Sequence, residues 1–285
     1  MGHRWKLTTV FFAGLCALLA LAACKDSPDY APMNANDFKN GLEGLSKTKV
    51  YFGHQSVGRN ILQGLEELSK ATQVTLQIGK LGHDSATSGN LIHSEVGSNK
   101  DPLGKIADFS QALARPDMAG IEVAILKFCY LDVAHDAVKD PRALVDAYAR
   151  AVDAIRAAHP KLKIVHATVP LRSDPPGWKT AIKRWIGRET WEDPDNVLRN
   201  AYNEDIRKRF AGQPLFDIAL AESTLPDGSR SGFVKDGKTV YTLATQYTND
   251  GGHLNERGRQ QVAAVFAKSV ADAMRAPAPA GAPAR

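Results

Sequence analysis

Short apolar runs alternate with amphipathic segments along most of this chain, and this alternation limits the possible folds more than any other feature. Predicted strands lie at residues 49–53, 74–78, 121–126, 162–168 and 215–219. The run 121–126 is apolar throughout, as expected for a strand buried on both faces. Strands that alternate with helices pair in parallel. The sequence therefore predicts a three-layer α/β/α fold with a mostly parallel sheet of about five strands.

Apolar residues recur at helical spacing between these strands. Predicted helices lie at residues 57–70, 103–114, 141–159, 196–210 and 254–274. Asp236-Gly237 between two apolar runs predicts a β-hairpin. The long connection 172–195 carries Trp178, Ile182 and Trp185 on one helical face, which packs in the core, covers an acyl or sugar substrate, or rests on a membrane.

The N-terminus has the parts of a secretory signal. Arg4 and Lys6 precede an apolar run that ends in small residues before Cys24. This run is shorter than the roughly 20 apolar residues that span a bilayer. Leu21-Ala22-Ala23-Cys24 resembles the lipobox of bacterial lipoproteins, which implies cleavage before Cys24 and lipidation of that cysteine. An ordinary cleaved signal with a chance cysteine is the alternative.

The remaining chain is expected to form one domain. We predict a signal peptide at residues 1–23, a polar tether at 24–36, the domain at 37–274 and a disordered Pro/Ala-rich tail at 275–285. The net charge of +5 loses the contributions of Arg4 and Lys6 with the signal, and what remains is too weak to indicate a nucleic-acid partner. In enterobacterial lipoproteins an Asp after the cysteine favours the inner membrane. Lys25 stands there instead, which favours the outer membrane, facing the periplasm.

Ser56 follows the first predicted strand and begins the first helix, in Gly53-His54-Gln55-Ser56-Val57-Gly58. Ligands of open parallel sheets bind at the carboxyl ends of the strands. A helix N-terminus there supplies backbone N–H groups that stabilise an oxyanion. Ser56 is therefore a candidate nucleophile, although serine is also a common N-cap residue.

Asp250 and His253 lie three residues apart, directly before the last predicted helix. A serine hydroxyl becomes a nucleophile when a neutral histidine accepts its proton, and the histidine needs a carboxylate that selects its tautomer. Ser56, His253 and Asp250 supply these three roles. An α/β-hydrolase is disfavoured, because its nucleophile lies mid-chain and its acid and histidine occupy separate loops.

The early serine and the Asp250-x-x-His253 motif resemble the SGNH or GDSL hydrolases, over about residues 49–274. The resemblance implies a flavodoxin-like fold of the SGNH hydrolase type and an esterase with Ser56, Asp250 and His253 as the catalytic residues. Two features depart from the family pattern. Gly53-His54-Gln55-Ser56 replaces the family's Gly-Asp-Ser. The family also has an Asn after the third strand that donates to the oxyanion, and this chain has none there. Lys127 and Tyr130, at the end of that strand, are other possible oxyanion donors or have a structural role.

The resemblance assigns the family's oxyanion Gly, which follows the second strand, to Gly97, and Asn99 is a candidate donor in place of the missing Asn. That both are simple turn residues is the equal alternative. His54 is expected to line the site, since it lies two residues from Ser56. No histidine or cysteine spacing indicates a metal, and no cofactor is expected. Cys129 is interpreted as a small buried hydrophobic residue.

The sequence thus predicts a membrane-anchored serine hydrolase that cleaves carboxylic esters on lipid, glycan or small molecules through a Ser56 acyl-enzyme. Its expected partners are the ester substrate and, through lipidated Cys24, a membrane. An inactive lipoprotein that keeps the fold and binds glycan or lipid is the alternative, because fold alone does not determine function.

Overall fold

The structure is a computed structural model that describes residues 35–82, 89–174, 177–190 and 192–276. The signal peptide, Cys24 and nearly all of the predicted tether and tail lie outside these residues. The described residues belong to one compact unit, Pro32–Arg285. The buried residues of both hydrophobic cores fall between Leu42 and Ala273, so a chain that starts at residue 25 keeps all of them.

The central sheet has five parallel strands in the order β2-β3-β1-β4-β5. These strands are β1 Val50–His54, β2 Ile78–Lys80, β3 Leu91–Glu95, β4 Val123–Leu126 and β5 Lys163–Ile164. This arrangement confirms the predicted fold class. The strand predicted at 74–78 is wrong for all but its last residue. The sequence analysis also missed β3, which pairs with β1 in the middle of the sheet.

Alternate residues of β1 and β4 face two separate cores, which is why β4 and the first three residues of β1 are apolar. Val50 and Phe52 of β1 face a core built with the helices at residues 56–72 and 256–275. Tyr51 faces a second core, built with the helices at residues 102–113, 141–158 and 193–209.

Eight helices lie in the described part of the chain: α1 Ala35–Ser46, α2 Ser56–Thr72, α3 Pro102–Leu113, α4 Pro141–Ala158, α5 Trp178–Trp185, α6 Asp193–Arg209, α7 Ile218–Ser223 and α8 Glu256–Arg275. The five predicted helices correspond to α2, α3, α4, α6 and α8. Asp101 and Asp140 cap α3 and α4, each with Pro as the next residue. None of the helices in the described ranges is long and apolar enough to cross a membrane.

The other strands form two small sheets. The predicted strand 162–168 is divided between β5 and β6 His166–Ala167, and β6 pairs in parallel with β7 Leu215–Phe216. β8 Gly232–Lys235 and β9 Lys238–Tyr241 form the predicted hairpin. Asp236 and Gly237 both have positive φ, at 50° and 73°, as a two-residue hairpin turn requires.

Candidate active site

Ser56 is the first residue of α2, directly after β1 ends at the carboxyl edge of the sheet. Gln55 is the N-cap residue, and no side chain caps this helix. Because Gln55 occupies the N-cap position, the hydroxyl of Ser56 does not have the capping role that the sequence left open. Ser56 is half-buried. The first amides of a helix have no partner four residues earlier. Here the amide of Gly58 donates to the carbonyl oxygen of Gln55 at 2.6 Å, which leaves the amides of Ser56 and Val57 to stabilise negative charge beside this serine.

Asp250 and His253 form a hydrogen-bonded pair on the turn before α8. Nδ1 of His253 lies 2.7 Å from Oδ2 of Asp250. Oδ1 of Asp250 accepts hydrogen bonds from the amides of Gly252 at 2.8 Å and His253 at 2.7 Å. Partial burial opposes ionisation of Asp250, but these hydrogen bonds outweigh it and hold its pKa well below the usual value. The carboxylate therefore stays charged, and a neutral His253 carries its proton on Nδ1.

The turn that carries His253 is attached to the helix that carries Ser56. Oδ1 of Asn60 accepts a hydrogen bond from the amide of Leu254 at 3.2 Å. Asn60 lies one helical turn after Ser56, on the same face of α2. Further along, a Cβ at Gly64 would lie 2.4 Å from the carbonyl oxygen of Arg259 in α8, so a glycine is needed for this close approach of the two helices.

These contacts bring the Asp250–His253 turn to the start of α2, but no described residue forms a hydrogen bond with the hydroxyl of Ser56. The pairing of Ser56 with His253 stays a prediction. Asn60 was missed in the sequence analysis. The available signal was a polar residue one turn after the candidate nucleophile in an otherwise amphipathic helix.

Tyr130 and Arg172 lie beneath the same turn. The ring of Tyr130 meets the ring of His253 edge to face, with the centroids 6.2 Å apart. The guanidinium of Arg172 lies 4.9 Å from the centre of the Tyr130 ring. A Cβ at Gly252 would lie 3.0 Å from the Tyr130 hydroxyl and 3.1 Å from Nη1 of Arg172. A larger residue at position 252 would therefore displace His253 from this support.

Gly97 is linked to the start of α2, but its own amide is occupied. Nε2 of Gln55 donates to the carbonyl oxygens of Val96 and Gly97, at 2.8 Å in each case. The amide of Gly97 donates to Oδ2 of Asp108, also at 2.8 Å. Gly97 therefore lies near Ser56, but its N–H can stabilise an oxyanion only if Asp108 releases it.

Asn99 is exposed, and its Oδ1 accepts a hydrogen bond from Nζ of Lys105 at 3.1 Å. Lys105 is fully buried and pairs with Asp132, with 2.5 Å between Nζ and Oδ2. Asn99 thus contacts the buried ion pair that supports the loop after β4. No hydrogen bond in the described part of the chain connects Asn99 to Ser56.

His54 does not line the site, contrary to the sequence prediction. Its side chain is fully buried, and its Nε2 lies 3.0 Å from Nδ1 of His93. Desolvation by burial lowers the pKa of His54 to about 3. A Cβ at Gly58 would lie 2.3 Å from the His54 ring, so the ring supports the first turn of α2 from below and has no surface to offer a substrate.

Lys127 and Cys129 are also buried. Desolvation lowers the pKa of Lys127 to about 8, and its ammonium makes no hydrogen bond with a described residue. Burial removes Lys127 from the possible oxyanion donors. It also agrees with the interpretation of Cys129 as a core residue.

An open cleft of about 630 Å³ lies away from these residues, between the loop after α5 and the β8–β9 hairpin. The described residues that line it include Arg188, Glu189 and Lys235. It does not mark the candidate active site, because Ser56 and the Asp250–His253 turn do not line it. Within the described ranges, no group of histidine, cysteine and carboxylate side chains could hold a metal ion.

The fold and the site define a three-layer α/β protein with an Asp–His pair on a turn that is hydrogen-bonded to the helix beginning with Ser56. No protein-family model matches the sequence, and no curated protein matches it. The chain is similar to the solved structure of a lipase/acylhydrolase from Enterococcus faecalis, with 10% identity, a TM-score of 0.43 and coverage of 79% of this chain and 96% of that chain.

Two further solved structures are similar at the same level. The native aryl esterase of M. smegmatis matches with 14% identity, a TM-score of 0.40 and coverage of 79% of this chain and 98% of that chain. The periplasmic domain of a lipopolysaccharide acetyltransferase from Salmonella ser. Paratyphi A matches with 12% identity, a TM-score of 0.40 and coverage of 81% and 94%. With identities and TM-scores this low, these matches assign neither a family nor an activity to the chain.

Proposed function

We propose that this protein is a serine hydrolase of the SGNH type that cleaves carboxylic esters. The observation that carries the proposal is the hydrogen-bonded Asp250–His253 pair, on a turn that Asn60 attaches to the helix beginning with Ser56. A neutral histidine oriented by a carboxylate is the base that a serine nucleophile requires. The acyl or acetyl group to be removed belongs to a lipid, a glycan or a small molecule.

In the proposed reaction, Oγ of Ser56 attacks the ester carbonyl carbon as Nε2 of His253 takes the hydroxyl proton. The tetrahedral intermediate carries its negative oxygen near the N-terminal amides of α2. His253 then gives the proton to the leaving alcohol as the ester C–O bond breaks, which leaves an acyl group on Ser56. Water, deprotonated by His253, attacks this acyl-enzyme and releases the carboxylic acid and the free serine. Asp250 stabilises the imidazolium form in both halves of the cycle.

The test uses the chain from residue 25 onward with p-nitrophenyl acetate and longer-chain esters. We expect Ser56→Ala and His253→Ala to lower kcat/KM by at least about a thousandfold. Ser69→Ala, later in the same helix, and His159→Ala, at the end of α4, are the matched controls and should retain activity. A fluorophosphonate should add one mass increment to the wild type and none to Ser56→Ala.

The alternative is a binding protein that keeps the fold without catalysis. The occupied amide of Gly97 favours it, because this donor is engaged by Asp108. A wild-type protein that hydrolyses none of the esters and resists the fluorophosphonate would support this alternative over the esterase. Equal turnover by wild type and Ser56→Ala would refute the role of Ser56 whatever the source of the activity.

We also propose that Cys24 becomes the lipidated N-terminus and anchors the protein to a bacterial membrane, with the outer membrane facing the periplasm as the expected location. The support is the lipobox-like Leu21-Ala22-Ala23-Cys24. Mass spectrometry of the membrane-extracted protein should show a diacylglycerol-modified Cys24. An unmodified Cys24 would contradict the anchor, and so would a Cys24→Ser protein that stays with membranes after a high-salt wash.

A further inference from the structure

The largest concentration of exposed apolar side chains in the described part of the chain lies on α5 and the residue after it. Trp178, Ile182, Trp185 and Ile186 are 70%, 45%, 86% and 50% exposed. The other large hydrophobic side chains with comparable exposure lie singly, on α3, β8 and α8. Single exposed apolar residues are ordinary, whereas a group of them marks an interaction surface. We define these four residues as the α5 patch.

The α5 patch occupies one side of its helix. With about 100° between successive residues, Trp178, Ile182 and Trp185 fall within an arc of about 60°. Two tryptophans dominate this arc. Tryptophan combines a large apolar ring with a polar N–H group, a combination suited to the boundary between lipid and water.

The charged residues of the segment 177–188, which contains the patch, all have the same sign. Residues 177–188 contain Lys179, Lys183, Arg184 and Arg188 and no acidic residue. Lys179 and Lys183 are exposed, and Nζ of Lys179 lies 5.9 Å from the centre of the Trp178 ring. Glu189, the next acidic residue, is paired with Lys235 at 2.6 Å. An apolar face bordered by cations complements a lipid bilayer whose headgroups are anionic and whose interior is apolar.

Described residues before and after α5 make hydrogen bonds with other parts of the chain. The amide of Ser173 donates to the carbonyl oxygen of Gly251, in the turn that carries His253, at 3.0 Å. After the helix, buried Thr190 donates through its amide and hydroxyl to the carboxylate of Asp193, at 2.7 and 2.8 Å. Ser173, in the segment before α5, therefore contacts the turn that carries His253.

We propose that the α5 patch binds the surface of an anionic lipid bilayer. The two tryptophans and Ile182 enter the headgroup region, and the flanking cations contact the lipid phosphates. The binding depends on neither the acyl chains of Cys24 nor hydrolysis at Ser56. One consequence rests on the proposed esterase activity: the α5 patch would favour hydrolysis of esters that are held in a membrane.

The experiment measures co-sedimentation of the chain from residue 25 onward with phosphatidylcholine vesicles, with and without phosphatidylglycerol. We expect binding to the anionic vesicles that weakens with salt, and weak binding to the neutral ones. Trp178→Ala/Trp185→Ala and Lys179→Gln/Lys183→Gln should each lower the partition coefficient about tenfold. Leu103→Ala, an exposed apolar residue on α3, and Lys139→Gln/Lys161→Gln are the matched controls and should bind as the wild type does.

Three results would overturn the proposal. The wild type fails to bind anionic vesicles, the tryptophan variant binds them as well as the wild type does, or the wild type binds anionic and neutral vesicles equally. A dimer in sedimentation velocity that the tryptophan variant abolishes, without vesicle binding, would assign the α5 patch to a second copy of the chain. Ser56→Ala should bind vesicles as the wild type does, so a protein without esterase activity can still confirm the surface.

Discussion

Replacement of Asp250 by Asn tests the Asp–His pair without changing the size of the side chain. The amides of Gly252 and His253 donate to Oδ1 of Asp250, and the His253 ring meets Oδ2. The two backbone donors would hold the oxygen of an Asn at the Oδ1 position, so its NH₂ group would face the ring. His253 would then accept at Nδ1 and carry its proton on Nε2. In that tautomer it cannot take the proton of Ser56.

The expected loss follows from this reversed tautomer. The same change in the Ser–His–Asp protease template lowers kcat about 10⁴-fold, which corresponds to about 5.5 kcal/mol of transition-state stabilisation. The assay is kcat for p-nitrophenyl acetate at neutral pH. Because the turn keeps its backbone hydrogen bonds, the free energy of unfolding should change by no more than about 1 kcal/mol.

The matched control is Asp227→Asn. Asp227 also accepts a backbone amide two residues ahead, from Ser229 at 2.9 Å, but on an exposed turn outside the site. It should retain full activity. A folded Asp250→Asn protein whose kcat stays within about tenfold of wild type would refute the reasoning, because His253 would then be working without the carboxylate.

Two other changes test the supports of the site. Asn60→Ala removes the acceptor for the amide of Leu254. It should lower kcat about tenfold and the free energy of unfolding by about 1 kcal/mol. Asn60→Asp keeps the acceptor and should restore kcat, and a failure to do so would contradict a positioning role for Asn60. His54 has a pKa of about 3 in the folded protein against 6.5 when unfolded, so its contribution to stability is complete above pH 6.5 and is lost as the pH falls towards 3. At pH 5 the loss is about 2 kcal/mol. Urea unfolding should therefore show that His54→Gln loses about 2 kcal/mol less stability between pH 8 and pH 5 than the wild type does. An equal loss in the two proteins would show that His54 is not the titrating group.

Local patterns were sufficient for much of the fold. α2, α3 and α4 begin and end within two residues of their predicted bounds, because helix caps and apolar periodicity depend on neighbours in the chain. β3 was missed because Leu91-Ile92-His93-Ser94-Glu95 becomes progressively polar, and only Leu91 and Ile92 are buried. Its position beside β1 depends on pairing with a strand about 40 residues away, which periodicity does not encode.

The same division applies to the candidate site. The amino-acid order alone predicted that Ser56 follows a strand and begins a helix, and that Asp250 and His253 lie directly before the last helix, because these are short motifs whose geometry is local. Their shared catalytic role stays a prediction. Tertiary structure decided what surrounds them. Asn60 reaches Leu254 across 194 positions, burial removes His54 from the surface, and Asp108 occupies the amide of Gly97. These properties arise only when distant segments pack together, because hydrogen bonds between distant residues and the burial of a side chain exist only in the folded protein.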